Sequence, residues 1–208
     1  MSLPTALTDL FDLGVIQEVL RPLQAGKEAQ IFLVRSQGEI RVAKVYKEAT
    51  ERSFKHRSDY TEGRRVRNSR QQRAMNKNTR FGRQQNEAAW RSAEVDCLYK
   101  AFEAGVRVPT PYEFVESVLI MELIGNGQGA PAPRLSDLSW SPIDAEALLE
   151  HLIQEVVRML CAGVVHGDLS DFNILVDTEG PVIIDFPRAV DPAANRQAKR
   201  LLLRDVNN

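Results

Sequence analysis

The most specific stretch of this sequence is His166-Gly167-Asp168-Leu169-Ser170-Asp171-Phe172-Asn173, followed by Ile183-Ile184-Asp185-Phe186. An aspartate and an asparagine five residues apart on a tight loop can face one cleft. There the carboxylate can orient a hydroxyl and accept its proton, while the amide oxygen can bind a metal ion. A second aspartate twelve residues further on, at the end of an apolar strand, adds another hard oxygen ligand projecting from a fixed place. Phosphoryl transfer needs these parts: a group that positions the nucleophile, and oxygen ligands for the magnesium ions that neutralise the phosphates. The plain alternative makes Asp168 and Asp185 ordinary turn acids and Asn173 a cap. It leaves unexplained why three residue types, two spacings and the flanking strand agree.

On these residues the chain resembles the kinase-like phosphotransferases, whose catalytic loop runs H-x-D-x-x-x-x-N before a metal-binding D-F. A second constellation lies upstream. Lys44, in Val42-Ala43-Lys44-Val45-Tyr46, sits between apolar neighbours on a predicted strand, like the V-A-I-K lysine that holds the α- and β-phosphates in kinases. Alone, such a lysine usually points to water from an edge strand. Its carboxylate partner is expected on the helix that follows. Glu94, four residues after Trp90 on one helical face, is the first choice and Glu87 the second. The loop Gln24-Ala25-Gly26-Lys27-Glu28-Ala29 is expected to cover the phosphates through backbone N–H groups, with added charge from Lys27. It carries only Gly26 of the usual glycines, so a plain hairpin approach is the competing reading.

Elements must hold these side chains. Leu7–Val19 reads as a short amphipathic helix broken near Gly14, and Ala29–Val34 and Arg41–Tyr46 as strands parted by the turn Ser36-Gln37-Gly38-Glu39. Helical spacing recurs over Asn86–Ala104 and stops at Gly105; Tyr112–Val115 and Val118–Leu123 form a predicted hairpin. The Gly/Pro-rich run Gly125–Pro133 is the natural connector between lobes. Beyond it, Ser141 can cap a helix with Pro142 at its first position, and Ile174–Val176 and Val182–Ile184 read as a hairpin. A final helix over about Pro192–Leu203 closes the pattern. The expected divisions are 1–124 with an insertion at 48–86, a connector at 125–133, and 134–208.

The bulk properties agree with one such unit. The chain has 208 residues, 43% hydrophobic and 26% charged, enough for one core or two small lobes sharing a cleft. No apolar run reaches the ~20 residues that span a bilayer, and Met1–Thr8 does not read as a secretory leader. A cytoplasmic location and no membrane partner are expected. Cys97 and Cys161 form no disulfide framework and read as buried small hydrophobes. Trp90 and Trp140 read as core or lobe-interface aromatics, His56 as a loop residue, His151 as a helix-surface one, and His166 as a brace for its loop. The net charge of −1 hides an asymmetry: Arg52–Asn86 carries eleven Lys or Arg against Asp59 and Glu62. That stretch lacks apolar periodicity and reads as a long flexible basic insertion.

Four strings make the resemblance specific: G-K-E-A at Gly26–Ala29, A-K-V-Y-K at Ala43–Lys47, H-G-D-L-S-D-F-N-I-L at His166–Leu175, and I-I-D-F-P at Ile183–Pro187. Through them the chain resembles RIO kinases, from about Leu10 to Leu203. Phe54–Tyr60 and the basic stretch after it also look like the flexible loop of the first RIO subfamily. The resemblance implies an α+β, trimmed two-lobed kinase-like fold, with an antiparallel N-lobe sheet, one main N-lobe helix and a mainly helical C-lobe. It implies ATP with Mg²⁺ or Mn²⁺, Asp168 as catalytic acid/base, Asn173 and Asp185 as metal ligands, and Lys44 as the phosphate-binding lysine. The backbone of Met121, Glu122, Leu123 and Ile124 would meet adenine. RIO kinases act on serine or threonine of proteins or on themselves. Some act as ATPases in ribosome assembly, where the residue matching Asp185 can accept the phosphoryl group. Asp185 lacks the following Gly and the A-P-E of ordinary kinases, and with 23 residues after it in this sequence no peptide-docking lobe is expected.

Two other functions compete. Aminoglycoside and choline kinases, which phosphorylate small molecules, share H-G-D-x-x-x-x-N and a later I-D but carry a larger C-terminal substrate lobe. Alternatively, the basic stretch 52–86 could contact RNA or a ribosomal particle by neutralising phosphates, in a nucleotide-gated assembly factor. Its few aromatics (Phe54, Tyr60, Phe81) argue against single-strand stacking.

Overall fold

The computed structural model describes residues 3–47, 93–125 and 129–208. The basic stretch 52–86, together with Glu87, Trp90 and His56, lies outside the described residues. Helix α1 (Thr5–Asp12) leads into strands β1 (Glu18–Ala25), β2 (Ala29–Ser36) and β3 (Glu39–Tyr46). Residues 93–103 are helical (α2), and β4 (Pro111–Val115) and β5 (Val118–Glu122) complete an antiparallel five-stranded sheet ordered β1-β2-β3-β5-β4. After it come α3 (Pro142–Cys161), the hairpin β6 (Ile174–Asp177) and β7 (Gly180–Ile183), and α4 (Ala198–Asn207). The result is the trimmed kinase-like α+β architecture that the motifs imply.

Alternation along β3 distributes its side chains to two faces. Ala43 and Val45 join Phe32, Val34, Leu7, Leu10 and Ile16 in one cluster, so α1 covers that face. Tyr46 points the other way, into a cluster that holds Val95, Leu98 and Ala101 of α2, and Met159, Leu169, Ile183 and Phe186 from the C-terminal half. Lys44 shares the parity of Tyr46 and so faces α2 and the C-terminal half. The β2–β3 turn is tight because Gln37 and Gly38 both adopt positive φ (53° and 81°), the twist that a two-residue hairpin turn requires.

Several expectations are corrected. The helix expected over Leu7–Val19 ends at Asp12, and Val19 belongs to β1, a strand that the pattern did not suggest. β1 is an edge strand with Pro22 inside it and two register shifts against β2. Such a strand is largely exposed and carries little alternation to read. The final helix begins at Ala198 rather than near Pro192, because Asp191 and Asn195 each accept the N–H two residues ahead (2.8 Å) and keep the chain in turns. Cys161 is exposed and Cys97 only half-buried, and Trp140 is an exposed aromatic rather than a core one. The cap at Ser141, with its hydroxyl accepting the Asp144 N–H, stands where the sequence puts it.

α3 buries an acid that hydrophobic periodicity overlooks. Glu155 is 1% exposed, accepts the Arg107 N–H at 2.9 Å and pairs with Arg158 and His151. Arg107 in turn forks onto Asp177 (2.7 and 2.8 Å) at the β6–β7 turn, which holds that carboxyl below its usual range. Helix, linker and hairpin are tied by one residue, Arg107, through its backbone N–H and its guanidinium. Among the described residues no helix is long and apolar enough to cross a membrane.

Candidate functional site

A cleft of about 580 Å³ opens between the sheet and the C-terminal half. The twelve residues expected at the site all line it: Gly26, Lys27, Glu28, Lys44, Glu94, Met121, Glu122, Leu123, Ile124, Asp168, Asn173 and Asp185.

Its deep end is an ionic cluster. Lys44 Nζ lies 2.6 Å from Glu94 Oε1 and 2.5 Å from Asp185 Oδ1. β3 supplies the lysine, α2 the glutamate and the chain just after β7 the aspartate. The geometry pairs Glu94 with Lys44, while Glu87 lies outside the described residues. Burial alone would lower the Lys44 pKa, but the Asp185 and Glu94 carboxylates outweigh it and hold the ammonium well above its ordinary value. Burial pushes the Glu94 carboxyl up against the pull of Lys44. Asp185, for which burial works upward, is nevertheless held low by Lys44. Tyr46 stands beside them, its phenol pushed well up by burial and by the neighbouring Glu94 charge.

One side-chain and one backbone hydrogen bond join the segments that carry the two motif aspartates. Asn173 Nδ2 donates to the Asp168 carbonyl at 2.9 Å, and the Ile184 N–H donates to the Asn173 carbonyl at 3.0 Å. The loop 168–173 and the end of β7 are thereby stitched edge to edge. Asp185 itself has φ 69°, a left-handed conformation held at a cost of order 1–3 kcal/mol and found where a site demands a particular aim. His166 bridges the same two segments through Nε2 and the Ile184 carbonyl at 3.1 Å, and its ring packs against Phe186 at 4.8 Å, tilted by 55°. Burial lowers its pKa, so it is a neutral brace.

The sequence did not single out Asp205 on α4, which is 8% exposed and accepts the Gly167 N–H (2.7 Å) and the Leu169 N–H (3.1 Å). These two donors flank Asp168. Nothing local marks the role, since thirty-six residues or more separate the partners. Arg188 also escaped notice, although it follows D-F-P directly; its Nη1 donates to Asp168 Oδ1 at 3.0 Å.

At the sheet side, Gly26–Glu28 is the β1–β2 turn, closed by Gly26 N–H to the Ala29 carbonyl at 2.9 Å. It is at once a hairpin turn and a wall of the cleft. The Glu122 side chain turns to Thr110, accepting its N–H (3.1 Å) and hydroxyl (2.8 Å). Only the backbone of that residue is therefore aimed for recognition of a ligand.

The donor set fits a hard divalent cation. Asp185 and Asn173 offer a carboxylate and an amide oxygen, and Mg²⁺ typically takes one or two carboxylates and completes its shell with phosphates and water. Among the described residues, no group of three or more His, Cys, Asp or Glu could hold a metal by itself.

Comparison with known proteins gives the family. The RIO domain family model matches residues 30–208. The chain is 32% identical to the RIO-type serine/threonine-protein kinase Rio1 of Haloferax volcanii over 205 residues, covering 98% of this chain and 66% of that protein. It is 33% identical to Rio1 of Methanocaldococcus jannaschii, covering 93% of this chain and 62% of that one. Among solved structures, the Rio2 kinase-ADP/Mg²⁺-phosphoaspartate complex from Chaetomium thermophilum superposes with a TM-score of 0.66 at 25% identity, covering 97% of this chain and 57% of that one. The chain thus spans about two thirds of the length of these relatives, or less. With the RIO model matching all but its first strand and helix, and with the cleft built from the RIO strings, the chain belongs to the RIO family.

Proposed function

We propose that this chain transfers the terminal phosphoryl group of ATP to a serine or threonine hydroxyl, on a protein substrate or on itself. The observation that carries the proposal is the convergence of Lys44, Glu94, Asp168, Asn173 and Asp185 on one cleft from four separate segments.

The roles follow from that arrangement. Lys44, held by Glu94, presents a fixed ammonium to the α- and β-phosphates. Asp168 orients the acceptor hydroxyl and takes its proton. Asn173 and Asp185 hold Mg²⁺ or Mn²⁺, which when bound neutralises charge on the phosphate oxygens. The turn Gly26–Glu28 lies over the phosphates, and the backbone of Met121–Ile124 meets the adenine. Curated relatives named as serine/threonine-protein kinases support the protein hydroxyl as acceptor.

A second reading is favoured by one finding. The Chaetomium Rio2 complex contains phosphoaspartate with ADP and Mg²⁺. Asp185 could accept the phosphoryl group in the same way and release it to water, which would make the chain an ATPase. No observation favours a small-molecule acceptor.

The test is incorporation of label from γ-labelled ATP with Mg²⁺, comparing wild type with Asp168→Ala and Asp185→Asn. Loss in Asp168→Ala of acid-stable label on serine or threonine supports the kinase reading. Hydroxylamine-labile label that vanishes only in Asp185→Asn supports the ATPase reading. Equal label and equal ATP turnover in all three proteins would rule out both.

A further inference from the structure

Arg188 stands in the cleft lining together with Asp168, Asn173 and Asp185. Its guanidinium meets the Asp168 carboxylate at 3.0 Å, with side-chain exposures of 45% and 38%. The backbone around it is pinned. Val165 and Val190 exchange two N–H to carbonyl bonds of 2.9 Å, and the Ala189 N–H donates to the Phe186 carbonyl at 3.1 Å. Phe186, Ala189 and Val190 are all buried. Gly167 permits this approach, since a Cβ there would come within 2.5 Å of the Arg188 carbonyl oxygen. The root of Arg188 is thus fixed relative to Asp168, while its side chain is partly exposed.

The other cations of the lining are differently placed. Lys44 is held deep between Glu94 and Asp185, Arg134 donates to Gln24 at 3.0 Å, and Lys27 sits on the β1–β2 turn. Arg204, outside that lining, approaches Asp168 from α4 at 3.9 Å. Arg188 is therefore the cleft-lining cation paired with the group to which the phosphotransfer function assigns the proton.

We propose that Arg188 is a catalytic residue that exchanges Asp168 for the phosphoryl group in transit. The assignment rests on the function proposed above. As the acceptor oxygen bonds to the terminal phosphorus, the bond from that phosphorus to the β–γ bridging oxygen breaks. Its electron pair leaves with ADP, and the hydroxyl proton passes to Asp168. Protonation removes the negative charge that holds the guanidinium on Asp168. At the same moment the phosphoryl oxygens need a cation. A planar guanidinium matches those oxygens in a fork and does not give up its own proton. Because this attraction grows as charge moves, it favours the transition state over bound ATP.

The experiment measures kcat, KM for ATP, and affinity for Mg²⁺–ADP with and without aluminium fluoride, a mimic of the phosphoryl in flight. The proteins are wild type, Arg188→Ala, Arg188→Gln, Arg188→Lys and Asp168→Ala. Arg188→Ala should lower kcat by about 10²- to 10³-fold while ADP affinity stays within about twofold. Affinity for ADP with aluminium fluoride should fall about tenfold or more, and Arg188→Lys should recover about tenfold of the lost kcat. If the Ala variant loses ADP binding through misfolding, Arg188→Gln carries the same expectations. A kcat within about threefold of wild type overturns the proposal, as does an equal loss of affinity for both ADP states. Faster turnover without the arginine also overturns it, marking Arg188 as a brake. If Asp168→Ala turns over ATP as wild type does, the phosphotransfer function itself falls; if only Asp168→Ala is inactive, Arg188 alone is refuted.

Discussion

Lys44 and Glu94 are 50 residues apart in the chain and 2.6 Å apart in space, both almost fully buried. Removing one partner of such a pair strands the other charge in the interior, at a cost of about 3–5 kcal/mol. Lys44→Met should therefore destabilise the fold as well as abolish phosphate binding. In wild type the Glu94 carboxyl is already pushed up by burial, and without the lysine it can relieve its charge only by taking a proton. A folded-state pKa above the unfolded one destabilises above the unfolded pKa, and the penalty grows with pH up to the folded value. Denaturant melts of Lys44→Met and wild type at pH 5 and pH 8 should show the larger deficit at pH 8. An equal deficit would show that Glu94 is not the group left stranded.

Gly167→Ala tests how closely the loop 166–173 and the segment after Asp185 approach. Gly167 has φ 78°, and a Cβ would meet the Arg188 carbonyl oxygen at 2.5 Å. A strained φ costs of order 1–3 kcal/mol, and displaced backbone adds to it. The variant should melt several degrees lower and lose turnover more than ADP binding. A melting temperature within a degree of wild type would mean the two segments are not in contact.

Asp205 anchors the same loop from α4 through two charge-assisted hydrogen bonds. Each bond to a charged acceptor contributes about 1.5–3 kcal/mol, and Asp205→Asn can keep only one acceptor while its amide opposes the other N–H. We expect a stability loss of about 2 kcal/mol and faster hydrogen exchange at the Gly167 and Leu169 amides. Unchanged exchange at those two amides would contradict the anchor.

His166 makes stability fall in mild acid. Its folded pKa is lowered by burial from the ordinary 6.5. Between the two values the unfolded chain binds the extra proton, so stability is full above about 6.5 and falls as pH drops toward the folded value. The raised pKa of Asp205, again from burial, works in the opposite sense, but in the carboxylate range. His166→Gln, which can still donate to the Ile184 carbonyl, should flatten the slope of unfolding free energy from pH 7 to pH 5.5. A slope as steep as that of wild type would assign the proton uptake elsewhere.

Local spacing made much of this protein legible. Asp168, Asn173 and Asp185 could be read as one set because the loop that joins them is short and ends on an apolar strand. Lys44 could be placed on a strand from its apolar neighbours, and the Ser141-Pro142 start of α3 from its cap. The β1 edge was hidden because an exposed strand containing proline shows almost no alternation. Glu94 was already the first choice from its place on the helix, and its 2.6 Å contact with Lys44 agrees. The bonds from Asp205 and the pairing of Arg188 with Asp168 were decided by tertiary structure alone. These contacts depend on how α2, α4 and the chain after β7 pack on the sheet and loop. A buried charge finds its partner across space, and no periodicity in sequence encodes that distance.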